Sequence, residues 1–306
     1  KGPSYVYYDF KGTQGGAYKR DSFYFELHPF SFNSLDRFTK ADITFKGKMV
    51  SAGIFPDFEE TLVLQEDESL GFSSDKPKEG FPTYAEKGNY VGEVAMSNEG
   101  FLGKGTLSYL TADVNSEDII FKPKQMLATA DRFELKEDQG AVKVPEALGL
   151  DVSIDWKPYQ DSMYIRTEEE SFKLFKADNY TVNGTLILTP GGLKAQGKFE
   201  WEKGILASKL MSFGAFSAKA DTANMKIKAF EGEFAFDTEN VNADLDFDTQ
   251  RGKIIANEDG LTTTMPYNQY QTSMGELDWD MKGEQITFKN KNGQQFGDFV
   301  SIHPDQ

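Results

Sequence analysis

The chain has 306 residues, of which 39% are apolar and 14% aromatic, with 26 phenylalanines, a composition that supports a packed core rather than a disordered chain. Its 49 acidic and 33 basic residues leave a net charge of −16, which disfavours binding to nucleic acid phosphates or anionic lipid head groups. The absence of cysteine excludes disulfides, zinc–thiolate sites, iron–sulfur clusters and thiol nucleophiles.

The opening segment KGPSYVYYDF holds no apolar stretch of signal-peptide length, so the chain reads as a mature form or a piece of a longer protein. No later segment approaches the ~18 consecutive apolar residues that a membrane-spanning helix requires. Strand signals begin at Phe23, Phe25 and Leu27, which alternate with Tyr24 and Glu26. The stretch from Ser116 to Lys136 contains the helix-favouring Met126, Leu127, Ala128 and Ala130, but Pro123 interrupts it. Thr185–Leu188 is an apolar run ended by Pro190 and Gly191. Phe234 and Phe236 alternate in the same way, and from Val241 the apolar Val241, Ala243, Leu245 and Phe247 take one face while Asn242, Asp244, Asp246 and Asp248 take the other. SNEG, TPGG, NEDG and KNGQ read as turns, and Gln269–Met274 as a short turn. The expected class is all-β, with helix below about 10%.

The chain also matches itself. Gly92, Val94, Met96, Gly100, Gly105, Leu107, Tyr109, Ser116 and Phe121 fall on Gly184, Leu186, Leu188, Gly192, Gly197, Phe199, Trp201, Ser208 and Phe213, a constant offset of 92 (184 − 92). Ala130-Asp131 then matches Ala220-Asp221 at 90, and Asp155-Trp156 matches Asp246-Phe247 at 91. ADITFKGKMVS from Ala41 echoes ADLDFDTQRGKII from Ala243 more faintly. Matched glycines with matched alternation preserve a strand–turn–strand module, and such modules bury their faces by stacking. The pattern predicts elongated stacked strand repeats, a β-solenoid or half-open β-jelly-roll, with two β-sandwich domains as the alternative. It divides the chain into an N-terminal β region (1–91), a first repeat (92–183) and a second repeat with a C-terminal extension (184–306). Alternation continues through the junction at Tyr180–Gly184, and no low-complexity linker separates the repeats.

Chemistry-bearing motifs are few. His28 and His303 each precede a proline and lie far apart in sequence, which gives no ligand cluster. No G-x-S-x-G elbow occurs. The Gly103-Lys104 pair fails as a phosphate loop, because Asn98 and Gly105 stand where a glycine and a Ser or Thr are required. Asp244, Asp246 and Asp248 line one strand face; calcium needs six to eight oxygens, so they form a site only if a neighbouring strand adds ligands, and a solvated acidic face is the plainer expectation. A glycosidase would need a carboxylate pair in a groove, and Trp156, Trp201 and Trp279 could line one, although the repetition of Tyr109/Trp201 and Trp156/Phe247 favours packing. The chain is therefore expected to be a non-enzyme, with no cofactor unless calcium.

Several segments, FYFELHPFSF from Phe23, FKGKMVSAGIFPDFEETL from Phe45, EGFPTYAEKGNY from Glu79, ANEDGLTTTMPYNQYQTSMGELDWDM from Ala256 and the terminal FVSIHPDQ, resemble large uncharacterised proteins of Bacteroidota. The resemblance implies one section of a longer envelope or surface protein, similar to β-solenoid or β-jelly-roll chains that bridge lipid between membranes. It implies no catalytic residues. The expected role is a structural or interaction module of the bacterial cell envelope, whose partners are other envelope or surface proteins. The alternatives are a lipid-conducting bridge with an apolar groove and a carbohydrate-binding or carbohydrate-active domain.

Overall fold

The computed structural model describes residues 2–32, 36–74, 78–167, 169–229, 232–258, 262–273, 275–289 and 299–303. The protein is all-β, with 66% of the described residues in strands and 4% in helical turns. In chain order the strands are β1 (Ser4–Tyr7), β2 (Phe23–Leu27), β3 (Thr44–Ser51), β4 (Phe58–Leu64), β5 (Leu70–Ser73), β6 (Lys78–Thr83), β7 (Gly88–Ser97), β8 (Gly100–Tyr109), β9 (Ala112–Lys122), β10 (Gln125–Leu135), β11 (Ala147–Lys157) and β12 (Ser162–Thr167). They continue with β13 (Phe172–Leu174), β14 (Ala177–Thr189), β15 (Gly192–Trp201), β16 (Gly204–Gly214), β17 (Ser217–Lys228), β18 (Phe234–Asp246), β19 (Arg251–Ala256), β20 (Thr262–Met265), β21 (Tyr270–Ser273), β22 (Glu276–Asp280), β23 (Gln285–Lys289) and β24 (Phe299–Ser301). Among the described residues, no helix is long and apolar enough to cross a membrane. Two compact units form, Lys1–Phe133 with Asp151–Met163, and Glu134–Leu150 with Tyr164–Gln306.

In the first unit, β1 to β5 pair in sequence, and β7 pairs with both β6 and β8. All of these pairings are antiparallel, so the strands stack through hairpins. The turn at SNEG closes tightly, with Ser97 opposite Gly100. Alternation puts Phe23, Phe25, Met49 and Leu62 inside. There they meet an aromatic cluster in which Phe55 lies 5.0 Å from Phe121 and Tyr18 lies 4.3 Å from Phe23, measured between ring centroids. Buried tyrosines also tie distant backbone together. The Tyr18 hydroxyl donates to the Phe121 carbonyl at 2.9 Å and accepts from the Phe101 N–H at 2.9 Å. The Tyr84 hydroxyl donates to the Lys122 carbonyl at 2.9 Å, beside the β9–β10 turn.

The helix-favouring stretch from Ser116 to Lys136 is strand: Pro123 and Lys124 form the turn between β9 and β10, and Met126, Ala128 and Ala130 alternate inward along β10. Strand pairing on a half-buried face outweighs intrinsic helix preference here.

In the second unit, β13 to β19 pair antiparallel in chain order, and β22 and β23 extend the sheet from β19. Strand β14 runs unbroken through Tyr180–Gly184, as the uninterrupted alternation predicts. TPGG makes a second tight turn, with Thr189 opposite Gly192. On β18, Val241, Ala243 and Leu245 are buried and Asn242, Asp244 and Asp246 lie on the wetter face. NEDG and KNGQ fall wholly or partly outside the described residues. The turn expected at Gln269–Met274 lies earlier, as a 3₁₀ turn at Pro266–Asn268 capped by left-handed Gln269, because the proline fixes φ at the start of the turn; Met274 is outside the described residues. The echo between Ala41 and Ala243 has no structural counterpart: the first segment is a 3₁₀ turn leading into β3, and the second is the end of β18, a turn and β19.

Burial raises the pKa of Tyr18 to about 12, and burial with the nearby Asp161 charge raises that of Tyr109 to about 12. Burial also pushes Tyr84 and Tyr90 upward. The folded chain thus holds phenolic protons that the unfolded chain releases near pH 10. This stability is fully present below about pH 10 and is lost as pH rises toward the folded values. Melting temperature should therefore be flat to about pH 9 and fall steeply above about pH 10, less steeply in Tyr90→Phe. A melting temperature unchanged through that range would contradict the assignment.

Candidate functional site

The self-match is physically real at its glycines. Gly92 lies opposite Gly105 in the β7–β8 ladder, and Gly184 lies opposite Gly197 in the β14–β15 ladder. Gly105 and Gly197 have φ of +150° and +131°, and their partners share the same region. A Cβ at Gly105 would stand 2.2 Å from the Val91 carbonyl oxygen, and one at Gly197 would stand 2.2 Å from that of Asn183. Only glycine lets the strands approach this closely.

A bulge sits beside each glycine pair. In the first, Gly103 faces Ile119 but Gly105 faces Ser116, so Glu117 and Asp118 form an extra step and both point outward. In the second, Ala195 faces Met211 and Gly197 faces Ser208, and Lys209 and Leu210 point outward. One extra residue on a strand reverses its alternation. The serine satisfies the opened ladder. The Ser116 hydroxyl donates to the Thr129 carbonyl at 2.7 Å and accepts from the Asp118 N–H at 2.9 Å. The Ser208 hydroxyl donates to the Thr222 carbonyl at 2.6 Å and accepts from the Leu210 N–H at 3.1 Å. The sequence match aligned these serines, but a hydroxyl filling a backbone position leaves no local pattern to read.

The disruption passes to the next strand. Asp131-Arg132 on β10 and Asp221-Thr222 on β17 are consecutive exposed residues in both modules; the match shortens to 90 (221 − 131) because Phe121 to Ala130 spans two residues more than Phe213 to Ala220. The match at 91 survives as a ring contact: Tyr109 meets Trp156 at 5.0 Å, and Trp201 meets Phe247 at 5.6 Å.

On the outer face of the second unit this seam opens into a groove of about 1280 Å³ crossing β14 to β17. Its floor contains Gly184, Gly197, Ala207 and Ala223, and its rim contains Asn183, Gln196, Lys198, Lys209, Asp221 and Thr222. Lys198 pairs with Glu200 at 2.7 Å. Hydrogen bonds from Lys198 and Lys228 hold the Glu200 carboxyl below its usual range. The equivalent seam in the first unit holds a hollow of only about 130 Å³. There β5 pairs along β7, with Ser73 opposite Ala95, and Ser73 joins the lining.

The expected acidic site is dispersed. Asp244 pairs with Lys219 across the strands at 2.7 Å. Asp246 accepts the Thr249 N–H at 2.9 Å and closes its own turn. Asp248 is exposed. Asp246 and Asp248 border a second groove of about 410 Å³ with Glu137, Lys143, Glu146 and Lys176. Among the described residues, no group of three or more His, Asp or Glu side chains is placed to hold a metal ion. His28 faces Glu59 at 3.3 Å on the surface. Trp156, Trp201 and Trp279 are all buried and pack the interior; Trp201 borders only a small hollow of about 50 Å³ with Tyr180, Phe247 and Met281.

Comparison of the chain with protein-family models, curated proteins and solved structures finds no match.

Gly197→Ala should cost about 3 kcal/mol or more in urea unfolding, whereas Gly191→Ala, whose Cβ meets nothing closer than Thr189 Oγ1 at 3.5 Å, should stay within about 0.5 kcal/mol. Equal costs would refute the close-approach argument. Ser116→Ala should lose about 1–3 kcal/mol, because it strands a carbonyl and an N–H. Calcium should move the melting temperature only slightly relative to chelator, since Lys219 already neutralises Asp244. A large upward shift would establish an ion site on this face.

Proposed function

We propose that the chain is a non-catalytic structural and interaction module of a larger bacterial envelope or surface protein. One observation carries this reading. What recurs between the modules serves the backbone and the core: the glycine pair, the serine in the bulge and the inward aromatic pair. What faces solvent around the bulge does not recur, since Lys104, Glu117 and Asp118 correspond to Gln196, Lys209 and Leu210, although Asp131 and Asp221 still match on the following strand. A repeated catalytic centre would preserve outward polar groups in fixed geometry. A repeated scaffold preserves the interior and leaves its surface free to diverge. The resemblance to large Bacteroidota proteins supports the envelope setting. A lipid conduit would need an apolar trough, and the amide and charged rim of the groove supports the module reading over it.

Fractionation of native cells should recover the full-length protein with the envelope, and the purified chain should turn over no member of a polysaccharide panel. Recovery in the cytosol would overturn the envelope setting. Turnover abolished by replacing one groove carboxylate would overturn the non-catalytic assignment.

A further inference from the structure

We propose that the groove of the second unit binds an extended, uncharged glycan lying across the strands. Each of the four strands it crosses offers an exposed hydrogen-bonding side chain: Asn183 on β14, Gln196 on β15, Lys209 on β16 and Thr222 on β17. Among the described residues none of these four side chains has a hydrogen-bond or ion-pair partner, so binding would break no internal contact. Adjacent strands stand ~4.8 Å apart, close to the advance of one hexose in an extended chain, so the four positions can meet successive sugars over about 14 Å. The glycines in the floor remove the bulk that would hold a ring away, and Leu210, 49% exposed, offers an apolar contact to a sugar's C–H face.

Other occupants fit less well. A peptide adding as a strand needs a free sheet edge. Strands β14 to β17 are paired on both sides. An acidic glycan would meet a chain of net charge −16.

The 306-residue chain, titrated with cellohexaose and with chitohexaose and followed by calorimetry, tests this. At least one should bind saturably. Asn183→Ala combined with Gln196→Ala should weaken binding about tenfold with an unchanged melting temperature, because both side chains are exposed and make no internal contact. Tyr5→Ala, at an exposed aromatic far from the groove in sequence, should leave affinity unchanged. Failure of both sugars to bind at millimolar concentration overturns the proposal, as does binding that survives the groove variant or is lost in Tyr5→Ala. Because the assay concerns only the purified chain, its failure leaves the envelope reading standing.

Discussion

Two glycines facing each other across a hairpin impose the constraint on which each module depends. With no Cβ on either strand, the backbones close to a distance that a facing carbonyl would deny to alanine. The neighbouring strand accommodates the crease with one extra residue. That residue reverses the inward phase, so the buried positions run Val114, Ser116, Ile119 and Phe121 on β9. They run through Met211 and Phe213 after the same reversal on β16. An apolar face stays continuous only because sequence and bulge change phase together.

The cores built on these creases are aromatic and closed by hydroxyl groups. Tyr18 links β8 and β9 through two backbone hydrogen bonds while its ring packs on Phe23. Such a side chain supplies apolar area and a polar tip together, which suits a chain without disulfides. The creased outer face is then free of packing duty. In the first unit it is narrowed by β5, and in the second it is open.

Much of this was legible in the sequence where the signal was local. The alternation along Val241–Phe247 showed the strand and its faces, and SNEG and TPGG showed tight turns. The glycine matches at a fixed offset showed the repeat. Signals that depend on partners were hidden. Glu117-Asp118 and Lys209-Leu210 look like ordinary polar or turn residues until a facing strand makes them a bulge. Asp244 looked like a ligand candidate because Lys219 is on the preceding strand, 25 residues earlier. The groove was invisible for the same reason: Asn183, Gln196, Lys209 and Thr222 belong to four strands and share no motif. The tryptophans, candidates for lining a cleft, are drawn inside by the inward phase of their strands.

The seam itself is tested most directly by native-state amide exchange at Asp118 and Leu210. Both side chains face solvent, yet each N–H is held by a serine hydroxyl at 2.9 and 3.1 Å respectively. Both amides should be protected well above open-loop values. Ser116→Ala should lower protection at Asp118 by about tenfold or more, and Ser208→Ala should do the same at Leu210, with each leaving the other module unchanged. Exchange at loop rates in the unmodified chain would contradict the account.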